Sequence, residues 1–332
     1  MLAAAAILLP AQTRTLDIYW IDVEGGGATL IVAPNGQSLL VDTGNPAPDD
    51  RDAKRIFEVA KMAGLKQIDS LVTTHFHGDH AGGAPALAKM MPIGHFYDHG
   101  DSVETQDQRG KTIWDAYEAL ARGKRTTLKP GDKLPLKGVE TIVVSANGQT
   151  IANTLKGGGP NPLCATAEKH PEDKTENQRS VAFILTYGKF KFADFGDLTW
   201  DKEMELACPV NKLGTVTLMQ ATHHGFVNDF SGAPAHVQAL KPQVVVVNNG
   251  TSKGWQNSAW ETVMKSPGLE DTWQIHKAMG DKHDHNVDES HIVNLESGDK
   301  DKGQWLKASI SSDGKFTVTN GRSGFSKSYQ AK

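Results

Sequence analysis

Apolar and polar positions alternate loosely where the ordered pattern of the chain begins. Leu16, Ile18 and Trp20 fall on one side of an extended segment, and Asp17, Tyr19 and Ile21 on the other. A period of two signals a strand, here over 16–23, and the run Gly25-Gly26-Gly27 then allows a tight bend. Residues 28–33 form a second apolar run, Pro34-Asn35-Gly36-Gln37 reads as a hairpin turn, and 38–41 returns. The period then changes. Ile56, Phe57, Ala60 and Ala63 share one face of a predicted helix over 49–63, with Gly64 after its end. A buried strand over 68–73 follows, then a helix over 84–91. Ile113, Trp114, Tyr117 and Leu120 give 102–122 helical character. Segment 147–177 is rich in Gly, Pro and Asn and reads as a long loop, expected to wall an active site. Beyond it the pattern predicts a hairpin of 181–187 and 189–195 about Gly188, a short helix over 201–206, strands over 216–221 and 244–248, and a late hairpin over 305–318. Two strand-and-helix halves, each ending strands in His or Asp, predict an α/β sandwich with its site at one edge.

Composition changes this picture little. The 332 residues carry 35 basic and 39 acidic side chains, a net charge of −4, so no global attraction to nucleic acid is implied. The opening Met1–Pro10 reads as the core and tail of a secretory signal without its basic leader, or else as an apolar N-terminal arm. The run 2–9 is too short to span a bilayer, which takes roughly 20 residues. The expected division is therefore 1–14 as a signal remnant or arm, 15–295 as the main domain, and 296–332 as a C-terminal hairpin extension. Cys164 and Cys208 exclude a thiolate zinc site of Cys-x-x-Cys type. They are expected either to form one disulfide in an exported protein or to remain two separate thiols.

Chemistry concentrates in His75-Phe76-His77-Gly78-Asp79-His80, where four metal-capable side chains fall within six residues at a strand's end. Neutral imidazoles with a carboxylate are the donors zinc takes in catalytic sites. His75 and His77 share a direction if strand geometry persists, so both can hold one metal. Asp79 and His80 follow a glycine that turns the chain, so they can face a second. The later group His283, His285 and His291 lies in strongly polar sequence and reads as a solvated loop. Trp114, Tyr117 and Trp255 read as core residues or as an apolar pocket wall.

The His-x-His-x-Asp-His spacing resembles that of the metallo-β-lactamase superfamily, and other landmarks follow in that family's order. Leu39-Leu40-Val41-Asp42-Thr43-Gly44 looks like its first motif, Phe195-Gly196-Asp197-Leu198 the motif of the bridging carboxylate, and Thr222-His223-His224-Gly225 the last. Asp22-Val23 before three glycines, Val41 to Asn45, and Asn177-x-x-Ser180-Val181 look similar to the hydrolase domain of bacterial competence DNA-uptake proteins. The resemblance implies an αββα sandwich of two mixed β-sheets flanked by helices and a centre of two divalent metals, zinc or manganese. It implies His75, His77, Asp79, His80, Asp197 and His223 as metal ligands, Asp79 and His224 as catalytic groups, and Asp42 supporting the ligands. Asp194 is the alternative to Asp197, and His224 the alternative ligand to His223. No third histidine for the first metal is evident: Asn177 stands in its place, with His170 or a water as alternatives. The function implied is metal-activated hydrolysis of a phosphodiester, in DNA or in the cell envelope, by a periplasmic or secreted enzyme with no membrane span. The rival readings are a lactone, β-lactam or ester hydrolase of the same fold, and a metal-binding module without turnover.

Overall fold

The loose alternation at the start of the chain reflects a strand buried on both faces. In the computed structural model, which describes residues 15–226, 230–280 and 285–332, Leu16, Ile18 and Trp20 of the strand Leu16–Ile21 enter the core between two sheets. Tyr19 and Ile21 enter a second core under helices.

The first sheet has nine strands, in the order Ser326–Gln330, Lys315–Asn320, Trp305–Ile310, Leu16–Ile21, Thr29–Val32, Ser38–Val41, Ile68–Val72, Ile93–Asp98 and Arg125–Thr127. Its pairings are antiparallel up to Ser38–Val41 and parallel beyond. The second sheet runs Ile292–Asn294, Asp271–His276, Val244–Val247, Leu218–Gln220, Phe190–Asp194, Ala182–Tyr187, Glu140–Ala146 and Gln149–Thr150, and is likewise mixed. Between the sheets pack Trp20, Leu39, Val41, Phe183, Phe192, Val244 and Trp273. Trp20 Nε1 also donates across the gap to Gln220 Oε1 at 2.8 Å.

Helices Arg51–Met62, Ala84–Met90 and Gln108–Ala121 cover the outer face of the first sheet. Trp200–Ala207, Pro234–Leu240 and Asn257–Met264 cover the second. This is the expected αββα sandwich. The helix read over 102–122 starts later, at Gln108, where the Asp107 side chain accepts from Gly110 N and so supplies the N-cap.

Three departures from the sequence reading matter. The C-terminal segment is not a lone hairpin: it supplies three strands to the first sheet, joined to the opening strand from Leu16↔Ile310 to Ile21↔Trp305. Leu306, Ala308 and Ile310 alternate inward, which draws these strands onto the core. The long loop 147–177 contains short strands, one of which, Gly159–Pro160, pairs with Val210–Asn211, and Cys164 is bridged to Cys208. His223-His224 leaves the strand and forms a tight turn. Residues 1–14 and His283 lie outside the described residues. Among the described residues no helix is long and apolar enough to cross a membrane.

Candidate metal centre

The site forms where strand ends from both sheets meet at one edge of the sandwich. From the first sheet, Ile68–Val72 runs into the 74–77 segment, and Gly78–Ala81 turns as a short helix. From the second, Phe190–Asp194 leads to Asp197 and Leu218–Gln220 to the His223-His224 turn.

Asp42 sets the first half. It holds a left-handed φ of 62°, a conformation that costs a non-glycine residue energy and clusters at functional sites. In that position Oδ1 accepts from Thr74 N at 2.7 Å, while Oδ2 accepts from Thr74 Oγ1 and from His80 Nδ1, each at 2.7 Å. His80 Nδ1 is thereby held outward against Asp42, and its Nε2 faces the centre. The same logic fixes His75. Thr74 Oγ1 donates its hydrogen bond to Asp42 Oδ2, so it accepts from His75 Nδ1, 3.1 Å away. His75 Nε2 is left buried with no hydrogen-bond partner.

The glycine run has a steric purpose as well as a bend. A Cβ on Gly26 would lie 2.4 Å from the Asp79 carbonyl oxygen, and one on Gly27 would lie 2.7 Å from Asp42 Oδ2 and 2.8 Å from His80 Nδ1. Side chains at either position would displace the histidine loop.

Asp197 Oδ2 is the hub. It lies 3.2 Å from His80 Nε2, 3.4 Å from the Nε2 atoms of His223 and His224, and 3.9 Å from His75 Nε2. Burial pushes its pKa up, but His224, His80 and His223 outweigh burial and hold it well below the ordinary carboxylate range. For His80 burial pulls down, but Asp197, Asp42 and Asp79 win and hold it well above the ordinary value. Burial, helped by His80 and His77, drives His75 well below it, and burial lowers His223 to about 4.

Asp79, His80, Asp197 and His224 bring one donor atom each into a single group. Their separations include 3.2 Å for His80–His224, 3.4 Å for His224–Asp79 and 3.6 Å for His80–Asp79. Ligands about 2.0–2.2 Å from a tetrahedral zinc stand roughly 3.3–3.6 Å apart. The residues present fit a divalent cation, and His75 Nε2, buried without a hydrogen-bond partner, stands 3.9 Å from Asp197 Oδ2 beside them.

The distances place His224, the alternative ligand, in the four-donor group, and His223 beside it, each 3.4 Å from Asp197 Oδ2. Both have left-handed φ, 49° at His223 and 59° at His224, so the chain turns between them and His224, not His223, joins the four-donor group. His223 Nδ1 faces Ser231 Oγ at 3.4 Å, and that hydroxyl donates to Leu198 O. His223 thus keeps its proton on Nδ1 and directs its Nε2 lone pair at Asp197. Asp194 is the more remote carboxylate: Oδ1 accepts from Gly196 N and Gln220 Nε2. Asn177 is buried with Oδ1 unpaired. His170 stacks on Trp200, ring centroids 3.8 Å apart, and lies 3.8 Å from Glu168, so it is not in the donor group.

Three charged neighbours of the site escaped the sequence reading. Glu176 is fully buried and accepts from Phe76 N, Ser102 Oγ and Val103 N, with His99 Nε2 at 2.9 Å. Burial opposes its ionisation, but His99 and these donors hold its pKa at about 2. Glu104 lies 3.1 Å from His77 Nε2. Lys253 Nζ bonds Asp79 Oδ2 at the open rim. Each looks like a solvated charge in polar sequence, and only Glu176 had a clue, its place beside the Asn177-x-x-Ser180 motif. The distal histidines do not converge among the described residues: His285 stacks on Trp260, and His291 faces Asp271.

Residues 22–162 match the family model described as the Metallo-beta-lactamase superfamily. ComE operon protein 3 of Bacillus subtilis is 21% identical over 270 residues, covering 75% of this chain and 30% of that protein. A UPF0173 metal-dependent hydrolase of Cupriavidus metallidurans is 35% identical over 87 residues, 25% of each chain. An atrochrysone carboxyl ACP thioesterase of Cryptosporiopsis sp. is 34% identical over 79 residues, 23% of this chain and 24% of that one. The chain spans about a quarter to a third of the length of these curated relatives.

Proposed function

We propose, from the match of residues 22–162 to the metallo-β-lactamase superfamily model, that this chain is a metal-dependent hydrolase that cleaves phosphodiesters at a two-metal centre. The observation that carries the reading is the single oxygen of Asp197 set 3.2–3.9 Å from four histidine nitrogens. Asp79, His80, Asp197 and His224 would hold one cation, and His75, His77 and the shared Asp197 the other. Zinc or manganese suits this mixed set of imidazoles and carboxylates. When bound, such a pair makes a water acidic enough to ionise near neutral pH and stabilises negative charge on the substrate.

The chain's own residues supply the rest. Asp42 and Thr74 fix the His75 and His80 tautomers, and Glu176 anchors Phe76 N between the first two histidines. His223, kept neutral by burial, offers its Nε2 lone pair as a proton acceptor beside Asp197. Lys253 puts a cation at the rim, where it would meet a non-bridging phosphate oxygen. That cation and the likeness to ComE operon protein 3 over most of this chain support a phosphodiester over a neutral substrate. The Cys164–Cys208 disulfide supports a periplasmic or secreted location.

The likeness to a thioesterase over 79 residues favours a second reading, ester or thioester hydrolysis at the same centre. Metal-loaded protein tested side by side on a phosphodiester, a lactone, a thioester and a β-lactam separates the two. Turnover of the phosphodiester well above the rest is expected. Thioester or lactone turnover with an inert phosphodiester would overturn the proposal.

A further inference from the structure

A second cluster of metal-capable side chains lies on the far side of the glycine run. Asp22 and Glu24 end the first strand's extension, His276 closes the strand Asp271–His276, and Asp301 comes from the C-terminal segment. Their donor atoms all lie within 4.8 Å of one another. His276 Nε2 stands 3.0 Å from Asp22 Oδ1, 3.9 Å from Asp301 Oδ2 and 4.0 Å from Glu24 Oε1.

His276 is wholly buried, and neither ring nitrogen has a hydrogen-bond partner. Its Nε2 approaches Asp22 without hydrogen-bond geometry, as two ligands of one ion do. Charge argues the same way. Arg55 pairs with Asp22 Oδ2 at 2.6 Å and Asp301 Oδ2 at 2.5 Å, and its side chain is wedged against Gly303, where a Cβ would lie 2.0 Å from Nε. One guanidinium balances one of three carboxylates. The remaining negative charge of this largely buried cluster favours further positive charge there, on His276 or on a bound cation. Asp22 Oδ1 accepts from Glu24 N at 2.9 Å and lies 3.0 Å from His276 Nε2, so an oxygen and a nitrogen are turned to the same point.

We infer that Asp22, Glu24, His276 and Asp301 bind a divalent transition cation at a site separate from the hydrolytic centre. The imidazole argues against calcium, which takes oxygen ligands only, and the oxygen-rich set suits manganese well. The ion would tie the opening strand, the second sheet and the C-terminal segment together. It would also fix the Asp22–Glu24 end of the glycine run, whose other end packs on Asp42 and His80.

The test is anomalous diffraction from crystals equilibrated with Mn2+, using the wild type, Asp197→Asn and His276→Gln. A peak enclosed by Asp22, Glu24, His276 and Asp301 is expected in the wild type. It should persist in Asp197→Asn, which disables the hydrolytic centre, and vanish in His276→Gln. Mn2+ should also raise the thermal midpoint of Asp197→Asn by several degrees. No peak in wild-type crystals at saturating Mn2+ overturns the inference, and that result needs no variant to fold. An approach of Glu24 to Asp301 without a peak would mean that a shared proton neutralises the cluster instead. The inference does not depend on the hydrolytic reading, because the two sites are located separately in the same map.

Discussion

At the scale of single residues, the site is built from tautomers as much as from distances. Asp42 and Thr74 hold the Nδ1 atoms of His75 and His80 outward, so both Nε2 atoms face the centre. Asp42→Ala should therefore cost metal affinity of about 10- to 100-fold, the usual effect of losing such an outer partner, measured as the metal concentration that restores activity. Glu176 works at one remove. Its folded pKa of about 2, against 4.5 when free, amounts to about 3 kcal/mol of stability. Because the folded value is the lower one, this stability is fully present above pH 4.5 and is lost as the pH falls toward 2. Denaturation midpoints of the wild type and Glu176→Gln should converge over that range. A difference that stays constant from pH 6 to pH 3 would show that Glu176 carries no such charge-dependent role.

At the scale of elements, turns and loops position what the strands deliver. Gly27→Ala forces a Cβ against Asp42 and His80. Overpacking of this kind costs about 1–3 kcal/mol, and here it should weaken metal binding more than overall stability. Comparing metal titrations with unfolding curves of Gly27→Ala checks this. The Cys164–Cys208 bridge closes a separation of 44 residues, worth about 4 kcal/mol in the chain-entropy model. Cys164→Ser with Cys208→Ser should lower stability by up to that amount, read from denaturant midpoints. The histidine motif and the alternation of Leu16, Ile18 and Trp20 were legible in the sequence because local spacing encodes them. The grouping of His224 rather than His223 was not. It depends on left-handed φ angles at two adjacent histidines, and spacing alone cannot tell a turn from a strand end. Glu176, Glu104 and Lys253 were hidden for another reason: their partners lie 27 to 174 residues away.

At the scale of the whole molecule, the sandwich brings the ends of two sheets to one edge, so a centre shared by both halves exists only in the folded chain. The C-terminal strands belong to this frame, since Leu306, Ala308 and Ile310 complete the core behind the opening strand. Ligands drawn from both sheets also mean that metal binding and folding are coupled. Stripping the metal with a chelator should abolish hydrolysis and lower the thermal midpoint, and both should return on adding zinc or manganese. In the proposed mechanism Asp197 joins the two halves into one hydrolytic centre. The most direct measurement is turnover of bis-p-nitrophenyl phosphate by the metal-loaded wild type beside Asp197→Asn. Metal-dependent turnover is expected in the wild type, with a loss of at least about 1000-fold in the variant, the ~4 kcal/mol expected when transition-state charge stabilisation fails. Equal turnover by the two proteins would contradict it.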